Sequence, residues 1–292
     1  MPTIEKEQWK ALGFVAPLLL FVVLLVLVPV LGTLADSFFR DVTYLPKKFI
    51  GLGNFEQLLR DRGFWRATRF TCLFVVVSVP LEVLLGILIA LILNERLPLR
   101  GAIRACVLIP WAIPAAVSGR IFELVYNYSF GAANYLFRVL HLTEGPINWL
   151  GSEAGAFFAL VVADTWKTTP FAAIILLAGL SSISEDLYAQ AKIDRASLIQ
   201  RFWRVTLPLL KPVVVVTLLF RTIDALRVFD LIFVLTGGGP GGATTSLSLF
   251  GYDYFSAGDF GYGSAASVVI FLLAFGLSIT YVKLARFERE VV

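Results

Sequence analysis

Histidine is nearly missing from this chain: His141 is the single copy, set in a polar linker. That leaves no base for Ser–His hydrolysis and no histidine cluster for a metal. Cysteine occurs twice, as Cys72 and Cys106, each inside an apolar run and in no C-x-x-C arrangement. Both read as small core residues, neither as a disulfide nor as a zinc site. Charged residues make up 16% of the chain, against about 25% in soluble domains. A phosphate loop of the form G-x-x-x-x-G-K-[ST] is absent. Gly237 to Thr244 comes nearest, with Ala243 where the lysine would stand. No repeat relates the two halves, so an inverted-repeat carrier finds no support. Catalytic residues, resident metals and a nucleotide site are therefore not expected.

What remains is apolar. Of 292 residues 58% are hydrophobic, 25 of them Phe, and the mean hydropathy is +0.81. Soluble domains hold roughly 45–50% apolar residues, so the chain reads as an all-α, polytopic membrane protein. Its formal charge of +4 then belongs to loops on the cytoplasmic side rather than to a nucleic-acid surface. A bilayer core of about 30 Å needs roughly 20 apolar helical residues, and six segments qualify: 11–35, 71–93, 103–126, 154–180, 213–235 and 264–282. The first is too long for the core of a cleaved leader, although Thr33-Leu34-Ala35 resembles a cleavage site, and is expected to be a retained helix. One transmembrane domain over 1–292 accounts for the whole.

Basic residues orient it. With both termini inside, the N-tail, 94–104, 182–211 and the C-tail hold two, three, five and three Lys/Arg, while the two later outer loops hold one and none. The first outer segment, 36–69, breaks this trend with seven basic against four acidic residues. Within it Asn54 to Trp65 is amphipathic, with Phe55, Leu58, Leu59 and Trp65 to one side, and reads as a helix on the outer membrane surface. The last outer loop, 236–263, runs GGGPGG and then Tyr252, Tyr254, Phe255, Phe260 and Tyr262. It is either a flexible turn before an aromatic interface belt or a docking surface for an external partner.

Ionisable residues interrupt the spans. Glu82 sits mid-way in the second, Asp164 and Lys167 in the fourth, and Arg221, Asp224, Arg227 and Asp230 recur every three residues in the fifth. On one continuous helix these four form a stripe of alternating sign. Exposed to lipid they cost up to roughly 10–14 kcal/mol, against about 5–10 kcal/mol returned by the Leu, Ile, Val and Phe around them. The stripe must face protein or water. It marks either a translocation pathway or salt bridges between helices and subunits.

The segment 182–212 is too structured for a plain linker. Ser184 can cap a short helix with Glu185 and Asp186 at its positive end. Leu198, Phe202, Val205 and Leu209 then share one helical face, and Pro208 and Pro212 close this second helix before the fifth span. Such a helix–turn–helix offers a knob to a cytoplasmic partner, or is a surface helix anchored by its basic residues.

Here the residues resemble a family. Ala189, Gln190, Ala191, Ile193, Asp194, Arg195 and Ala196, then Phe202, Val205, Leu207, Pro208 and Pro212, are similar to the coupling motif of ABC importer permeases. In carbohydrate permeases that motif commonly reads E-A-A-x-I-D-G-A followed by F-x-x-I-x-L-P-x-x-x-P. Residues 49–68, 147–171 and 220–255 extend the likeness towards sugar permeases of the maltose, trehalose and glycerol-phosphate type. Two positions depart: Ala189 replaces the usual Glu, and Arg195 the usual Gly. If that turn needs a positive φ, Arg costs about 1 kcal/mol or more there.

The resemblance implies a type I ABC importer permease of six spans in a prokaryotic inner membrane. It would pair with a second permease as a heterodimer, two cytoplasmic ATPases carrying ATP and Mg, and an extracytoplasmic solute-binding protein, with lipid around it. Glu185, Ala189, Ala191, Asp194, Arg195, Ala196, Phe202, Leu207, Pro208 and Pro212 would seat in the ATPase. Trp166, Thr168, Thr169 and Phe171, beside Lys167, are candidates for a sugar cavity, a trehalose- or maltose-type disaccharide being the expected cargo, and helix packing is their alternative role. The rival classes are an ion-coupled carrier using Glu82 and the fifth-span charges, and a membrane-embedded enzyme, for which no nucleophile, base or metal set is evident.

Overall fold

The computed structural model describes residues 6–95 and 98–287. Arg96 and Arg289, counted above among the inside basic residues, lie outside the described residues. The chain divides into two units, residues 1–61 with 250–269, and residues 62–249 with 270–292.

In the first unit, α1 (Lys6–Val22) passes through a π-helical segment (Val23–Leu27) into α2 (Val28–Asp36). Gly13–Asp36 is a 24-residue apolar run with none of its core window buried inside the protein. An antiparallel pair follows, β1 (Phe39–Arg40) with β2 (Lys48–Phe49), in register Phe39 to Phe49. Lys47 clamps it, reaching Asp36 at 2.6 Å and Asp41 at 2.9 Å. The short helix α3 (Gly53–Arg60) carries the buried Asn54, whose amide donates to Ser37 O and Phe39 O at 2.9 and 2.8 Å. The amphipathic helix expected over Asn54–Trp65 is corrected here. Asp61 turns extended (ψ 119°) and ends α3, and Trp65 belongs to the next helix.

The second unit is built on α4 (Arg62–Asn94) and α8 (Glu153–Ser181). They cross closely because Gly86 faces Ala172 and Ala173: a Cβ on Gly86 would lie 3.0 Å from the Ala172 methyl. Small residues at such crossings let backbones approach, which is how apolar helices gain contact in lipid. The segment 103–126, read as one helix, is α5 (Arg100–Ala112) and α6 (Ala115–Val125), bent by 89°. Pro114 is the cause: the residue before a proline is forced out of the α region, and Ile113 has φ −72°, ψ 130°. The short α7 (Ala132–Val139) follows.

Next come α9 (Glu185–Ile193) and α10 (Leu198–Arg201), which runs through a π-helical segment (Phe202–Thr206) into α11 (Leu207–Leu226). Pro208 and Pro212 therefore do not close a separate helix, a further correction. Leu207 N–H bonds Phe202 O, five residues back. Pro208 falls in the first turn beyond that register change, where a missing N–H is tolerated. Then come α12 (Asp230–Leu235), α13 (Leu247–Ser256) and α14 (Phe260–Phe287).

Among the described residues four helices are long and apolar enough to cross a membrane, or five if the bent α5–α6 pair is one span. With 20 residues α11 is about 30 Å long at 1.5 Å per residue, but Lys211, Arg221 and Asp224 make it less apolar. Among the described residues the buried core includes a cluster around Phe74, Leu160 and Ile232 and another around Leu176, Leu180 and Leu210; Cys72 and Cys106, expected in the core, are exposed instead, a further correction.

Candidate functional site

The fifth apolar segment is not one helix. The chain leaves α11 at Arg227 (φ −99°, ψ 16°) and re-enters helix at Asp230, after Phe229 at φ −135°, ψ −67°. The stripe of four charges on a single face is thereby corrected: Arg221 and Asp224 are on α11, Arg227 caps it, and Asp230 opens α12. A break in an apolar segment is tolerated where freed backbone groups find partners. The Ser246 hydroxyl donates to Val228 O at 2.8 Å and accepts from Leu249 N at 3.1 Å.

The break opens a cleft of about 500 Å³. Trp111, Asp164, Lys167, Thr168, Arg221, Asp224, Arg227, Phe229 and Asp230 contribute to its wall. The Arg221 guanidinium is its electrostatic centre. Nε donates to Glu82 Oε2 at 2.6 Å, Nη1 to Asp224 Oδ2 at 2.6 Å, and Nη2 lies 3.5 Å from Asp164 Oδ2. Asp224 also faces Arg227 at 3.5 Å. Isolated charges in this setting would be very costly; paired and hydrogen-bonded ones persist. Lys167 turns its ammonium to Trp111 O at 3.4 Å. The cleft can thus present a hydroxyl-rich solute with charged acceptors, charged donors and the Trp111 indole.

The second candidate surface is the segment between α8 and α11. Ser184 accepts from Asp186 N and opens α9, with Glu185 and Asp186 in its first turn. The helix closes with the bond pattern of a Schellman motif: Ala196 N–H to Ala191 O at 2.9 Å and Arg195 N–H to Lys192 O at 3.0 Å. Arg195 sits at φ 53°, in the left-handed region that favours glycine. Ser197 and Gln200 then form a reciprocal capping box that starts α10. Ala191 is packed inside, and Tyr188 OH meets Thr206 Oγ1 at 3.1 Å, tying α9 to the π segment. Four apolar side chains face outward: Ile193, Leu198, Ile199 and Trp203 are 62–80% exposed. Apolar groups gathered on an exposed tip mark a docking surface more often than a free one.

Residues 82–289 match the family model described as the binding-protein-dependent transport system inner membrane component. The chain belongs to this family. It is a permease, a non-catalytic subunit that conducts solute. The permease is 54% identical over 288 residues to the trehalose/maltose transport system permease MalF of Thermococcus litoralis, covering 98% of this chain and 97% of that one. It is 38% identical over 281 residues to the trehalose transport system permease SugA of Mycobacterium tuberculosis, covering 95% and 89%. Its fold is that of a subunit of a bacterial ABC transporter involved in import of the acidic polysaccharide alginate, with a TM-score of 0.81 at 23% identity and 96% coverage of each chain. The ion-coupled carrier finds no support in these relatives.

Within the permease, Asp164, Lys167, Arg221, Asp224, Arg227 and Asp230 meet in the cleft, and Glu82 lies behind it. Of the four proposed cavity residues only Thr168 is on the wall. Trp166 packs edge-on against Phe122 with ring centroids 5.4 Å apart, Thr169 is buried off the wall, and Phe171 stacks on Trp111 at 5.6 Å. Trp111 and Phe229 are the aromatic wall residues that sequence reasoning missed. Trp111 had a signal, standing between Pro110 and Pro114 where a helix must bend, whereas no Gly or Pro marks the break at Phe229.

The Gly-rich loop is a closed turn. Thr244 is fully buried, donates to Gly239 O at 2.6 Å and meets Thr236 Oγ1 at 2.8 Å. The left-handed φ of 83° at Gly238 and the Thr245 hydroxyl, which a Cβ there would meet at 2.7 Å, both require glycine. Tyr252, Tyr254 and Phe255 are on α13 rather than in a loop.

Proposed function

We propose that this permease moves an α-linked glucose disaccharide of the trehalose or maltose type from an external binding protein into the cytoplasm. It works as one half of a heterodimer with a second permease, driven by two copies of a cytoplasmic ATPase that carry ATP and Mg. The observation that carries the cargo class is the 54% identity to a trehalose/maltose permease across 98% of the chain. Both termini and the 182–212 loop lie in the cytoplasm, in keeping with the bias of Lys and Arg.

Nucleotide-driven closure of the ATPases pushes on the exposed tip. Ile193, Leu198, Ile199 and Trp203 supply its apolar contact, and Glu185, Asp194 and Arg195 supply polar contacts beside them. Ala189, Ala191, Ala196, Phe202, Leu207, Pro208 and Pro212 shape the loop and its junction with α11. That motion reaches the cleft along α11, which carries the loop at one end and Arg221 and Asp224 at the other. A pyranose in the cleft stacks on Trp111 while Asp164, Asp224 and Lys167 take its hydroxyls.

Purification of the assembly from its native membrane in mild detergent tests this. The expected complex holds this chain, a second multi-span chain and two ATPases per assembly, with hydrolysis stimulated by disaccharide-loaded binding protein. A stable chain on its own, or stimulation by a charged solute and not by a disaccharide, would overturn the proposal.

A further inference from the structure

Glu82 differs from the other charged residues of the cluster. It is on α4 and does not line the cleft. Side-chain exposure rises outward from it: 0% at Glu82, 3% at Arg221, 9% at Asp164 and 50% at Asp224. Its ion pair is with Nε of Arg221 at 2.6 Å, the inner edge of the guanidinium, while Nη1 and Nη2 point towards Asp224 and Asp164 on the wall, and its carboxyl also lies beside that of Asp164. A planar guanidinium held by its Nε edge has little freedom to rotate.

We infer that Glu82 is a positioning residue that sets the selectivity of the cleft by pinning Arg221 and cancelling its charge from behind. With Glu82 in place, Arg221 contributes little net positive charge to the wall. Asp164, Asp224 and Asp230 then face Lys167 and Arg227, a surface that takes a neutral, hydroxyl-bearing solute and disfavours an anionic one. Without Glu82, Arg221 loses the anchor at Nε and one of the three carboxylates that face it, keeps Asp224 and Asp164, and swings towards them on the wall, so that the cleft becomes more positive. The consequence for cargo rests on the disaccharide reading above, whereas the effect on the charge of the cleft does not.

The test keeps these apart. In the assembled transporter, with Cys72→Ala and Cys106→Ala, a reporter thiol is placed as Ala115→Cys, at a residue that lines the cleft. Its rates of reaction with an anionic and a cationic methanethiosulfonate are compared. Glu82→Gln is expected to raise the anionic-to-cationic rate ratio about tenfold, since Arg221, released at Nε, brings its charge nearer to the reagents than the buried Glu82 site lies. In an Arg221→Met background the same Glu82→Gln change is expected to move the ratio less than twofold, and Glu82→Asp to restore part of the original ratio.

A merely structural Glu82 would change both reagent rates together and leave the ratio fixed, which would overturn the inference. So would an equal shift in the Arg221→Met background, because Glu82 would then act on the cleft without Arg221. A ratio that shifts as expected in an assembly that moves no disaccharide supports the positioning role and defeats the cargo reading.

Discussion

Replacing Arg195 by glycine should tighten the loop rather than loosen it. Arg195 holds φ 53° at the position after the α9 cap. An L-residue there costs roughly 1–2 kcal/mol over its right-handed alternatives. Glycine removes that cost but gives the unfolded chain more freedom, worth about 0.5–1 kcal/mol the other way. The net gain for Arg195→Gly is therefore about 0.5–1 kcal/mol, a two- to fivefold change in the local opening equilibrium. The amide to watch is Ala196 N–H, which closes the motif on Ala191 O at 2.9 Å. Hydrogen exchange of a peptide covering 189–197 in the assembled transporter should slow by about two- to fivefold, with Arg195→Ala unchanged or faster. Equal or faster exchange in the glycine variant would refute the reasoning, because the left-handed turn would then carry no strain.

Other expectations follow from the packing. Gly86→Leu forces side chain into the α4–α8 crossing, where a Cβ already lies 3.2 Å from Ala173 N; the thermal midpoint in detergent should fall by an amount corresponding to about 1–3 kcal/mol, and an unchanged midpoint would show that the helices separate freely. Asn134→Ala removes the acceptor of Trp149 Nε1 (2.9 Å) and Ile147 N (3.0 Å); both donors are partly buried, so the cost should be about 0.5–1.5 kcal/mol for each bond lost, with Asn134→Asp recovering part of it. Lys47 is raised above its ordinary 10.5 chiefly by its hydrogen bond to Asp36, then by that to Asp41. Its stabilising contribution is thus complete below 10.5 and lost as pH climbs through the raised value. Wild type and Lys47→Met should converge in thermal stability at that alkaline end, and parallel curves would count against the pair.

The helix–turn–helix of 182–212 was legible because its signals are local. Ser184 as a cap and acidic residues in the first turn involve partners within a few positions, so the chain itself carries the information. The α5–α6 bend was also written there, as Pro114, but a run of apolar residues on either side hid it. The boundary between α3 and α4 was missed for a related reason: amphipathic spacing continues from Asn54 to Trp65 while the backbone turns extended at Asp61.

The sequence by itself determined that this is a membrane-spanning permease: apolar runs of bilayer length leave no soluble alternative, and a motif of short-range spacing names the family. It also picked out every charged residue of the cleft, since a charge in an apolar span is conspicuous wherever it ends up. What only the tertiary structure decided is how those charges meet. Glu82 and Arg221 are 139 positions apart, and no periodicity within either helix can pair them. Only the packing of α4, α8 and α11 does so. The break at Arg227–Phe229 is likewise tertiary, because the freed Val228 carbonyl is satisfied by Ser246, a residue from beyond the next helix. Local sequence sets which residues are costly in lipid, and the fold sets which partners offset that cost.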